Sequence, residues 1–121
     1  MNEIVRGIAA SDRRDAQGWR FEKNAFIITD TLPPLYWNHK TNWIAGKILS
    51  LRHNVFGELA IEAQITDDWA REKATGFSVG FRPIKRDFKQ RAVTLATLIE
   101  ISVTNNPLDR HALILHRRAA A

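Results

Sequence analysis

The stretch ATGFSVGFR, residues 74–82, sets a serine between two glycines. On the two-residue period of a strand, Phe77, Val79 and Phe81 share one apolar face, while Gly76, Ser78 and Gly80 leave the other nearly bare. Glycine inside a strand marks a bulge, a bend, or a place where something comes close. The pair is therefore either a bend in a small barrel or a clearing that gives a substrate access to the Ser78 hydroxyl. A serine hydroxyl is a nucleophile near neutral pH only with a base beside it, and histidine is the usual base. The imidazole in turn needs a carboxylate to fix its tautomer and stabilise its charged form.

His39, in LPPLYWNHK, has aromatic neighbours of the kind that form a partly buried wall, where a partner sets the imidazole's pKa and tautomer. The plainer alternative is a histidine capping a turn after the prolines. Glu100, in TLATLIEISVT (94–104), is the only charge between Arg91 and Asp109. A carboxylate among such residues is costly unless paired, although a strand glutamate reaching solvent is the ordinary expectation. Alternation puts Leu95, Thr97, Ile99, Ile101 and Val103 on one face of this strand. Ala96, Leu98, Glu100, Ser102 and Thr104 take the other. Ser78, His39 and Glu100 together would complete a serine-hydrolase constellation. Composition alone does not single them out.

The elements that must carry these residues are mostly strands. The first ten residues, with Ile4, Val5 and Ile8, read as a strand, and SDRRDAQG (11–18) as a polar connection. WRFEKNAFII reads as a strand followed by a short helix near Asn24–Ile28, and Pro33-Pro34 excludes a regular helix there. WIAGKILSLRHNVFGELAIEAQI reads as two strands joined at His53–Asn54, with Thr66 as N-cap of a short helix through Asp67–Lys73. Residues 76–85 and 91–104 form a hairpin around DFKQ, and LDRHALILHRRAAA is a short helix or a last strand. The expected fold is mainly β with short helices (α+β), a compact antiparallel barrel formed as one domain over 1–121, with a short alanine-rich tail at 118–121.

The 121 residues are 45% hydrophobic and 26% charged, as in an ordinary globular domain. The absence of cysteine excludes disulfides and thiolate metal sites and favours an intracellular setting. MNEIVRGIAASDRRD lacks the order of a signal peptide and no apolar run is long enough to span a bilayer, so a cytosolic protein without a membrane partner is expected. The net charge of +5 permits acidic partners or nucleic acid. A basic barrel using Lys85, Arg86, Lys89 and Arg91 with Trp19, Trp43 or Trp69 as stacking platforms ranks low, because the aromatic residues are not interleaved with the basic group. Zinc held by His53, His111 and His116 is discounted on the five-residue spacing of the last two. Neither a metal nor a cofactor is expected.

Segment by segment, the chain resembles the tailed-phage prohead proteases, the capsid-maturation serine peptidases related in fold to the herpesvirus assembly proteases. The resemblance runs from about Val5 to about Asp109, through GIAA, NAF, LPPLYWNH, IAGKILSLR, GELAIEA, GFSVGFR and LIEISVTNNP. In that family the histidine of WNH is the base, the serine of GFS(I/V)GF the nucleophile, and the acid of L-x-E-V-S the third member. The resemblance thus implies these roles for His39, Ser78 and Glu100, in the family's chain order. It further implies strand-like docking of a substrate backbone beside Gly76 and Gly80. The reaction would also need preorganised donors for the oxyanion, for which the N–H groups of Val79, Gly80 or residues 104–106 are candidates. The implied substrates are segments of the major capsid protein and scaffold, and the enzyme's own termini. Homodimerisation and a location in the bacterial host cytoplasm, inside the assembling prohead, complete the expectation. The rival within the same fold is a non-catalytic, scaffold-binding assembly factor. TDDWAREKAT is brief and NNP replaces an apolar residue before the proline, which leaves substrate preference, oligomeric state and a degenerate prophage copy open.

Overall fold

The protein is described by a computed structural model covering residues 2–120. In chain order the elements are β1 (Glu3–Ala10), β2 (Arg20–Phe21), β3 (Phe26–Ile27), β4 (Pro34–Trp37), β5 (Lys40–His53), β6 (Leu59–Ile65), α1 (Asp68–Lys73), β7 (Gly76–Asp87), β8 (Ala92–Thr104) and β9 (Ile114–Ala119). The strands make one sheet in the order β2-β8-β4-β5-β6-β1-β9, with β3 and β7 also paired to β8. The sheet curls around a core whose largest fully buried apolar side chains, Val5, Leu35, Leu59, Ile65, Phe77, Ile101 and Val103, come from β1, β4, β6, β7 and β8.

Local pattern explains much of this. In β6, Leu59, Ile61, Ala63 and Ile65 are buried while the residues between them are half-exposed, the signature of a strand with one covered face. The β7–β8 hairpin turns at residues 88–91, where the Asp87 carboxylate accepts the Gln90 N–H at 3.0 Å. Helix α1 starts a residue later than expected: Asp67, not Thr66, is the N-cap, its carboxylate accepting the Ala70 N–H at 2.9 Å.

Other expectations are corrected. The helix near Asn24–Ile28 does not form; Asn24 turns at φ 59 and the chain enters β3, which pairs with Ala96 and Thr97 of β8. Its backbone groups are used by a neighbouring strand rather than by its own next turn. The last segment resolves to a strand, β9, antiparallel to β1. The sheet is a curled half-barrel rather than an all-antiparallel barrel. The segments β2, β3 and β4 reach β8 through connections instead of tight hairpins and so run parallel to it. Between β7 and β1 there is an isolated bridge, Gly76 to Leu113, in place of a ladder. The residues there bond both sides: the Phe77 N–H donates to the Ala112 carbonyl at 2.9 Å, and the Ile8 N–H to the Leu113 carbonyl at 3.2 Å.

The alternation expected along β8 also breaks once. Gly80 pairs with Glu100 but Phe81 pairs with Leu98, so Ile99 is the extra residue of a β-bulge. Ile99 is 54% exposed, not buried beside Ile101, and Glu100 is only 8% exposed. The bulge re-aims the strand where the carboxylate stands.

Candidate active site

His39 occupies the second position of a two-residue turn closing β4 on β5, with Trp37 paired to Lys40. Asn38 (φ 47) and His39 (φ 60) are both left-handed, as the type I′ hairpin turn requires. For a residue with a Cβ this conformation costs roughly 1–2 kcal/mol. The turn is held from β8: the Asn38 N–H donates to the Val103 carbonyl at 3.1 Å, and the His39 N–H to Ser102 Oγ at 2.8 Å. Ser102 faces Ser78 across the β7–β8 ladder, and Glu100 lies two residues before it. The parallel contact of β4 with β8 thus brings the histidine turn over the hairpin that carries the other two groups.

The three sequence-selected residues meet. His39 Nε2 is 2.8 Å from Ser78 Oγ, and His39 Nδ1 is in direct contact with Glu100 Oε1. The other carboxylate oxygen, Oε2, accepts the Ser102 hydroxyl at 2.9 Å. With Nδ1–H donated to the carboxylate, Nε2 is the nitrogen free to accept the Ser78 proton. The hydrogen bond to Glu100 raises the His39 pKa above 6.5; partial burial opposes this, and the carboxylate's charge adds to it.

Ser102 was not among the expected site residues. It is fully buried, and a single hydroxyl both accepts from the histidine backbone and donates to the carboxylate. Its signal in the sequence was its place two residues after Glu100, on the same strand face.

The glycines flanking Ser78 each stand against the protein's own atoms. A Cβ at Gly80 would collide with Glu100 Oε1 and lie 2.9 Å from its Cδ and Cγ. A Cβ at Gly76 would collide with the Ala112 carbonyl oxygen and lie 3.1 Å from Pro107 Cγ. The alternation of an antiparallel strand also sorts the proposed oxyanion donors. The Phe77 N–H points away from β8, to Ala112, so the Val79 N–H turns to that same edge and the Gly80 N–H turns into the ladder. Val79 remains available and Gly80 does not. In the 104–106 segment, the Asn106 N–H is taken by Thr104 Oγ1 at 3.1 Å.

Beside Ser78 lies a mostly apolar recess lined by Ala9, Ala10, Trp19, Phe21, Val79 and Leu108, among others, with Arg13, Asp15 and Asp109 around it. The remaining histidines are dispersed. His53 accepts the Phe26 N–H at 3.3 Å, and burial lowers its pKa; His111 contacts Arg13 at 3.3 Å; His116 sits on β9 opposite Arg6. Trp43 packs near Trp37 and Trp69 near Lys73. Trp19, distant from the basic group in sequence, lies beneath Arg86 and Arg91, so an aromatic residue is interleaved with that group after all.

No protein-family model matches the sequence, and no curated protein matches it. Solved structures do match in fold. KSHV protease, in complex with a hexapeptide phosphonate inhibitor, aligns with a TM-score of 0.58 at 12% identity over 99% of this chain and 66% of its own. The protease of varicella-zoster virus aligns with a TM-score of 0.51 at 10% identity, over 81% of this chain and 58% of its own. The chain therefore spans about two thirds or less of these relatives, and its curled, mainly β sheet is the fold of herpesvirus proteases.

Proposed function

We propose that the protein is a serine endopeptidase of the capsid-maturation type, with Ser78 as nucleophile, His39 as general base and Glu100 as the group that orients the imidazole. One observation carries this reading: an unbroken hydrogen-bonded path from Ser78 Oγ through both nitrogens of His39 to Glu100, with Ser102 bonded to both ends of the histidine–glutamate pair. In the first step Ser78 Oγ bonds to the scissile carbonyl carbon as its proton passes to His39 Nε2. The oxyanion forms at the open edge of β7, where the Val79 N–H is directed. Collapse breaks the C–N bond, and the histidine gives its proton to the departing amine. Water, deprotonated by the same nitrogen, then releases the acyl group as a carboxylic acid and restores Ser78.

The substrate backbone would lie as an added strand along the edge of β7 opposite β8, from Val79 onward, past the contacts of Gly76 and Phe77 with residues 112–113. The hexapeptide phosphonate bound to KSHV protease fits an extended ligand of this kind. By the resemblance of the chain's segments, the substrates are parts of the major capsid protein and scaffold, cut within an assembling prohead in the bacterial host, with self-cleavage and homodimerisation as further expectations.

A fluorophosphonate probe tests the reading. The expected result is one adduct, located on Ser78 by peptide mass spectrometry, absent from Ser78→Ala and strongly reduced in His39→Ala. Equal labelling of Ser78→Ala and the parent would remove Ser78 from the role.

A further inference from the structure

The recess beside Ser78 continues into a second hollow. Asp15, Trp19, Phe21, Phe81 and Leu108 line both, and Gln17, Arg20, Arg86 and Val93 complete the second. The two form one groove beside β7, from the nucleophile toward the hairpin tip. Ser78 and Arg86 are eight residues apart on that strand, about 26 Å of extended chain.

The end of this groove is strongly cationic and built on aromatic rings. The Arg86 guanidinium lies 5.6 Å from the Trp19 ring and 5.8 Å from that of Phe88, and Arg91 lies 5.9 Å from Trp19. Trp19 and Phe88 meet edge to face at 5.8 Å. Arg14 donates to the Gly18 carbonyl at 2.9 Å, on the same loop. Among the described residues, none of Arg14, Arg20, Lys85, Arg86, Lys89 and Arg91 has a salt-bridge partner. The carboxylates nearby accept backbone N–H groups instead: Asp15 from Gln17 and Trp19, Asp87 from Gln90, and Asp109 from Ser11 and His111. Arg86 and Arg91 are held by rings and Arg14 by carbonyls, leaving their charge for an anionic ligand.

Resting on the peptidase reading, we propose that this groove is an extended substrate subsite in which Arg20, Arg86 and Arg91 receive a cluster of Asp or Glu residues roughly six to eight positions from the scissile bond. A polypeptide fits better than a nucleic acid. Between Ser78 and Arg86 the walls are mostly apolar, with Asp15 and Asp109 against a single Arg13, whereas a phosphate backbone would need cations along the whole track. The arginines act on binding, so an acidic cluster in the substrate lowers KM and leaves kcat unchanged.

Two measurements test this. In the first, fluorescein-labelled peptides bearing a block of glutamates, and neutral counterparts, are titrated into Ser78→Ala protein and followed by anisotropy. The acidic peptide is expected to bind about tenfold tighter, to weaken with salt, and to lose the advantage in Arg86→Glu/Arg91→Glu. An Arg86→Gln/Arg91→Gln variant, checked by circular dichroism, guards against misfolding of the charge-reversed one. Equal binding of acidic and neutral peptides overturns the proposal, as does displacement of the acidic peptide by a tighter-binding labelled oligothymidylate. In the second, the parent enzyme is given a proteome-derived peptide library. Cleavage without enrichment of Asp or Glu on either side of the cut overturns the subsite and leaves the peptidase standing. Arginine-dependent binding of the acidic peptide with no cleavage of any library member sinks the peptidase and supports the acidic-peptide groove.

Discussion

At the residue scale, the charge state of His39 controls the site. In the proposed reaction His39 must be neutral to take the Ser78 proton, and its pKa is raised above 6.5 by the Glu100 hydrogen bond. Peptidase activity is therefore expected to rise with pH through a midpoint above 6.5. Glu100→Gln should move that midpoint down and lower kcat by about 10⁴-fold, read from a pH–rate profile. Stability has the opposite pH sense. A folded-state pKa above the unfolded one means that this pair stabilises fully below the unfolded value and loses its contribution as pH rises through the folded value. His53, lowered by burial, runs the other way: it stabilises above its unfolded value and loses that contribution as pH falls through the folded one. Urea melts should accordingly show Glu100→Gln closer to the parent in alkaline than in mildly acidic buffer. Ser102→Ala leaves the His39 N–H and one Glu100 oxygen without their partner, at about 1–3 kcal/mol for each buried group. As a positioning residue it should also shift the pH–rate midpoint, which simple destabilisation would not do.

At the element scale, the bulge at Ile99 and the glycine opposite it work together. The bulge sets Ile99 outward beside the buried Glu100, and Gly80 leaves room for the carboxylate. Gly80→Ala should separate activity from stability: the new methyl displaces a side-chain end, so the fold gives way little, but Glu100 is pushed off His39. A loss of at least about 100-fold in kcat with a modest change in melting temperature is expected, measured on the same preparation. Gly76→Ala differs, because its obstacle is the Ala112 backbone, and the bridge of β7 to residues 112–114 must move. The melting temperature should fall more than for Gly80→Ala.

At the scale of the whole molecule, one core supports the site. Phe77 is fully buried and adjoins Ser78 in β7, so the proposed nucleophile is seated by the largest of the core's fully buried side chains. Phe77→Ala should cost about 3–5 kcal/mol, a large share of the 5–15 kcal/mol typical of a domain, and is expected to appear as a much lowered midpoint in denaturant. Phe77→Leu should keep the fold. The two differ in cavity volume, so their order tests whether packing beneath Ser78 sets the stability.

What the chain alone determined follows from short-range sterics and periodicity: the strand alternation of β6, the β7–β8 hairpin, a break between two strands at about His53–Asn54, and a serine, a histidine and a glutamate worth attention. Those features depend on neighbours a few residues apart. The tertiary structure decided the rest. Within Asn24–Ile28, Phe26 and Ile27 became a strand because β8 offered their backbone groups partners. The Ile99 bulge broke an alternation that looked regular, and Ser102 became a shared hydrogen-bond partner only once the His39 turn lay over it. Gly76 and Gly80 proved to accommodate Ala112 and Glu100, and Trp19 came to rest beneath Arg86 and Arg91. Each depends on where a distant segment lands, which is settled by closing the curled sheet around its core and not by local preference.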